Sequence, residues 1–192
     1  LVAHSLGAEL ALAAVAAAPA QSLSRVVLLA GASFLSHAEA ALQSPAGRHL
    51  ELLNITSRVN DLFDFAFERV VPSALPGDRA LGAGITGARV ANLQIDCPVT
   101  LARLATLGLP LAPPRRRICH WSGYTRPGTL ALYARFLRDP AGLPVSLLRH
   151  LAPAQAAPRW SRLWGAASPP LPGPLSLGRS SRRKPRTAFP AP

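Results

Sequence analysis

Three side chains of this sequence have the types and the order that nucleophilic acyl chemistry needs: Ser5, then a carboxylate at Asp61 or Asp64, then His120. A serine hydroxyl is a poor nucleophile at neutral pH. It needs a base to take its proton and donors to hold the developing oxyanion. Ser5 lies in Val2-Ala3-His4-Ser5-Leu6-Gly7, where an apolar strand end runs into an Ala-rich helix opening at Gly7. A sharp strand-to-helix turn there lifts the serine clear of a sheet. The Leu6 N–H then stands at the helix N-terminus, where the dipole favours negative charge. Small neighbours, Ala3 and Gly7, suit a crowded turn. The plainer role for Ser5 is a helix N-cap. His4 is not the expected base, because neighbours on a tight turn point apart; it should pack or hydrogen-bond beside the turn.

The carboxylate is expected where a strand end gives way to a polar loop. Asn54-Ile55-Thr56-Ser57-Arg58-Val59-Asn60-Asp61 runs that way. Asp61 has the placement, with Asp64 three residues into the next helix as the alternative. Either also suits a helix first turn, where the dipole favours an acid. Of the five histidines, His120 alone lies downstream of the acid at the end of a short apolar run, in Ile118-Cys119-His120-Trp121-Ser122-Gly123. The nearby glycine gives a loop that can swing the imidazole over a sheet's edge. The competing role for His120 is a hydrogen-bonded core histidine beside Trp121. Ser5, Asp61 and His120 are expected to converge, with His120 within hydrogen-bond reach of both partners.

The elements that must position these groups alternate. Residues 7–18 read as a helix ended by Pro19. Residues 24–30 read as a buried strand, 36–43 as a short helix and 49–56 as a second strand. Residues 61–71 carry a broad apolar helical stripe, and 72–92 form a glycine- and proline-rich loop. A short strand at 92–96, a helix at 100–107, a third buried strand at 116–121 and helices at 128–138 and 145–151 follow. Strand–helix alternation of this kind predicts an α/β fold, a parallel sheet with helices on its faces. The pattern stops near residue 165. Residues 1–164 read as the folded part and 165–192, rich in Pro, Ser and Arg, as a disordered tail.

Composition narrows the partners. The 192 residues are 49% hydrophobic, enough for a sizeable core. Net charge is +12, from 21 basic and 9 acidic residues, and Lys184 is the only lysine. A basic chain can bind nucleic acid, but the arginines are scattered. The clusters Arg115-Arg116-Arg117 and Arg182-Arg183-Lys184 are not interleaved with stacking aromatics, which argues against a nucleic-acid partner. Two cysteines, Cys97 and Cys119, make neither a disulfide framework nor a metal site. They read as small buried apolar residues of a reducing, cytoplasmic compartment. No apolar run is long enough for a membrane span.

The turn His4-Ser5-Leu6-Gly7, with Ala3 in the first glycine position, resembles the G-x-S-x-G nucleophile elbow of the α/β-hydrolase family. The order Ser5, Asp61, His120 is similar to that family's Ser–acid–His order. The resemblance covers residues 1–150, as the C-terminal portion of the fold beginning at the elbow, and is nearest to serine-esterase-like members. It implies hydrolysis of an ester or related acyl bond in a small-molecule substrate, without cofactor or metal. It gives Ser5 as nucleophile, His120 as base, Asp61 as orienting acid and the Leu6 N–H as an oxyanion donor. It also implies that the family's early strands and second oxyanion donor precede Leu1, so the chain by itself is expected to be inactive. The alternative expectation is a non-catalytic α/β-hydrolase-like binding domain with a basic tail.

Overall fold

Arg25-Val26-Val27-Leu28-Leu29 is buried along its whole length. A strand covered on both faces reads as a continuous apolar run and needs helices on each side of its sheet. The computed structural model describes residues 1–153, and it has that architecture. Four strands, β1 (Val2–His4), β2 (Arg25–Leu29), β3 (Glu51–Thr56) and β4 (Val90–Gln94), form one sheet in the order β1-β2-β3-β4. All three pairings are parallel, with Val27 opposite both Val2 and Leu53. The described part is therefore an α/β fold, a parallel sheet with flanking helices.

Alternation along the strands sorts the core into two layers. Val26, Leu28, Leu52 and Val90 pack against α1 (Gly7–Ala17) and α2 (Leu35–Gln43) through Ala8, Leu12, Val15 and Ala38. Val27, Leu29, Leu53, Ile55 and Leu93 face the other way. Their cover is α4 (Pro98–Thr106), α6 (Thr129–Arg138) and α7 (Val145–Leu151), through Leu104, Leu132, Phe136 and Leu148. Helix α3 (Asp61–Val70) follows a 3-10 turn at Arg58–Asn60, and α5 (Ser122–Thr125) is one turn long. Arg25 is the one charged residue buried within a strand. It pairs with Glu51, donates to the Phe136 carbonyl and lies 4.3 Å over the Phe136 ring, so β2, β3 and α6 share its charge.

The structure differs from the sequence-based expectation at one element. Residues 116–121 are an exposed loop, not a third buried strand. The arginines at 115–117 need water, and Ile118 is the single β-branched residue of the run. The last strand is β4 instead, two residues ahead of the segment expected at 92–96. Cys97 is buried, whereas Cys119 is only half-buried; both are free thiols. No helix of the described residues is long and apolar enough to cross a membrane. The tail at 165–192, and the boundary at 164, lie outside the described residues.

Candidate active site

Ser5 sits where β1 ends and α1 begins. Its backbone has φ 54°, in the left-handed region that a residue bearing a Cβ adopts at a cost of about 1–2 kcal/mol. Three hydrogen bonds hold it there. The Ser5 N–H donates to the Leu29 carbonyl at 3.1 Å, and the Ser5 carbonyl accepts from Ala8 and Ala32, each at 2.9 Å. The turn is thus fixed by the end of β2, the first turn of α1 and the loop after β2 together. Leu6, not Ser5, is the N-cap residue, and no side chain caps the helix. The serine hydroxyl is therefore not spent on capping. Among the described residues the Leu6 N–H has no backbone acceptor, as expected for an orphan donor at a helix start. The crowding expected around Gly7 is mild: a Cβ there would meet only the Ala3 methyl, at 3.8 Å.

His120 is held from four directions. The N–H of Cys119 donates to the Val59 carbonyl at 2.8 Å, tying the 116–121 loop to the 3-10 turn. His4 Nε2 donates to the His120 carbonyl at 3.1 Å, and the two rings lie 4.5 Å apart. The Phe63 ring is 4.7 Å from the imidazole on α3. At 2.8 Å, His120 Nδ1 meets Asn60 Oδ1. His4, next to the serine, thus supports the other histidine through its backbone, in keeping with a supporting place beside the turn.

The residue hydrogen-bonded to Nδ1 is therefore Asn60, the neighbour of Asp61. Asn60 Nδ2 donates to Asp64 Oδ1 at 2.9 Å. With its NH₂ given to Asp64, the Asn60 amide turns its oxygen, an acceptor only, toward His120. The chain of donors fixes the tautomer: Nδ1 carries the proton, and Nε2 keeps a lone pair, the form a general base requires. Asp64 is one residue removed from the imidazole in this chain. Asp61 is fully buried at the first position of α3. Asn60 is not a carboxylate and so does not stand out in a sequence as a triad acid, although an asparagine fills this place in Cys-His-Asn proteases. Asp96 was also missed. Its Oδ2 accepts from the Arg58 and Val59 N–H groups at 2.8 and 3.3 Å, and so clamps the turn that presents Asn60.

Burial, and then the neighbouring His4, hold the His120 pKa below its ordinary 6.5. Both causes disfavour the imidazolium, and no carboxylate at Nδ1 offsets them. The ring is consequently neutral at pH 7. No hydrogen bond joins Ser5 Oγ to His120. Among the described residues no group of three or more His, Cys, Asp or Glu side chains is placed to hold a metal ion.

Comparison with protein-family models, with curated proteins and with solved structures finds no match to this chain.

Proposed function

We propose that this chain carries the catalytic serine and histidine of a serine hydrolase of the α/β-hydrolase type, cleaving an ester or related acyl bond. The observation that carries the reading is Ser5 at positive φ on a strand-to-helix turn. A left-handed serine is costly and persists only where the surroundings enforce it, and such strain clusters at functional sites. In the reaction, Ser5 Oγ attacks the acyl carbonyl as His120 Nε2 takes its proton, and the Leu6 N–H faces the oxyanion. The imidazolium then gives that proton to the leaving group, and water, activated by the same nitrogen, cleaves the acyl-enzyme. Asn60, backed by Asp64, orients the ring; a neutral amide stabilises the imidazolium less than a carboxylate would. Catalytic hydrogen bonds are often long without substrate, which accommodates the unmade Ser5–His120 bond. That same unmade bond favours the second reading, a non-catalytic binding domain.

A fluorophosphonate probe decides between the two. Labelling that maps to Ser5, is lost in Ser5→Ala and falls at least about a hundredfold in rate in His120→Ala supports hydrolysis, since general base catalysis contributes roughly 10²–10⁴. The probe is applied to the full-length gene product, and no labelling of that folded protein supports the binding domain.

A further inference from the structure

Beside the histidine loop lies a pocket of about 470 Å³ with Arg115, Arg116, Arg126, Trp121 and the Pro113-Pro114 pair among its lining residues. Three lining residues are arginines, and none is acidic. Arg126 is built into the wall and only 7% exposed. Its Nε donates to the Ala112 carbonyl at 2.8 Å, and its Nη2 donates to the carbonyls of Ile95, at 2.9 Å, and Ala112. Its Nη1 is buried and has no hydrogen-bond partner among the described residues.

These acceptors are neutral carbonyls. They fix the guanidinium plane without cancelling its charge. No carboxylate among the described residues forms an ion pair with Arg126; Asp96 reaches it only through its longer-range field. Burying an uncompensated cation is costly, yet a guanidinium does not shed its proton to escape that cost. Arg115 and Arg116 are exposed and add two more cations without ion-pair partners among the described residues. Trp121, 53% exposed, supplies a flat apolar surface beside the proline pair.

We propose that this pocket binds an organic monoanion, a carboxylate on an apolar body. The ligand's carboxylate supplies the counter-charge that the three arginines lack. Trp121 and the prolines take the apolar part. The walls are too apolar for a small, fully hydrated dianion such as phosphate, and a carboxylate matches the fork of a guanidinium. The inference does not depend on Ser5 chemistry. Trp121 directly follows His120, however, so a ligand seated here abuts the loop that carries the imidazole.

The test is calorimetric titration of the full chain with 4-phenylbutyrate and with 4-phenylbutanamide, which share one body and differ in charge. The acid should bind on the order of ten times more tightly than the amide, and the preference should shrink as salt is raised. Arg115→Ser/Arg116→Ser, two exposed changes that leave the fold intact, should remove most of the preference and spare amide binding. Trp121→Ala should weaken both ligands alike. Ser5→Ala should bind as the wild type does, so the outcome is separable from that of the hydrolase reading. Equal affinity for acid and amide, an unchanged preference in the double variant, or binding of inorganic phosphate but not of 4-phenylbutyrate would each overturn the proposal.

Discussion

The left-handed serine makes a quantitative prediction that runs against the usual effect of changing a functional residue. Replacing Ser5 by Gly removes the Cβ that makes φ 54° costly, worth about 1–2 kcal/mol. Glycine also loses more backbone entropy on folding, which takes back about 0.5–1 kcal/mol. The balance spans about 0 to 1.5 kcal/mol of stabilisation and centres near ~0.75 kcal/mol. For a chain of this size the central value is a rise of about 2–3 °C in Tm. Ser5→Ala keeps the Cβ and breaks no Ser5–His120 hydrogen bond, so its Tm should stay within about 1 °C of wild type. Ser5→Val, with a β-branched side chain in the left-handed region, should melt lower than either. Differential scanning calorimetry of the four proteins side by side gives the order Gly above Ser and Ala, with Val lowest. A Ser5→Gly protein that melts at or below Ser5→Ala would show that the turn stores no strain at residue 5, and the main support for the hydrolase reading would go with it.

Three further outcomes follow from the same geometry. His120 must be neutral to accept a proton, and its pKa is depressed, so the acidic limb of kcat/KM should lie below pH 6.5, with activity full above it and lost as pH falls through it. Asn60→Asp puts a carboxylate against Nδ1 and favours the imidazolium, so that limb should move to higher pH; a limb that stays put would deny Asn60 its place at the ring. Gly128 has φ 92°, and a Cβ there would fall on the Pro110 carbonyl oxygen. Gly128→Ala should therefore cost about 3 kcal/mol or more in urea denaturation, against about 1 kcal/mol for Gly77→Ala, which has φ 77° but open space around it.

The sheet and its helices could be read from the sequence because their signals are local. Val26-Val27-Leu28-Leu29 in β2 is an unbroken apolar run with nothing to suggest a solvated face, and Pro19 and Pro98 mark a helix end and a helix start. The 116–121 segment misled because Ile118, Cys119 and Trp121 look like a strand's apolar content. Nothing in six residues reveals that the loop is held by a Cys119–Val59 bond spanning 60 positions. Asn60 was hidden for another reason. It joins Asp64 on one side to His120 on the other, and only the second of these contacts is distant in sequence. Arg126 could not be found at all from its neighbours, since what distinguishes it is burial against the Ala112 and Ile95 carbonyls.

Because the strands lie side by side in chain order, each crossover steps the same way across the sheet. Right-handed crossovers that all step one way put their connections on one face. That is why α1, α2 and Leu81 from the β3–β4 connection share a layer. The opposite face therefore waits for everything after β4. During synthesis, Val27, Leu29, Leu53, Ile55 and Leu93 stay uncovered until α4, α6 and α7 have been made. At ~5–20 residues per second, that stretch of roughly 60 residues takes several seconds to emerge. The histidine loop belongs to the same late segment, so a nascent or clipped chain ending before α4 has its serine turn in place but neither a closed core nor His120. Such a chain would present a sticky apolar sheet to chaperones and proteases.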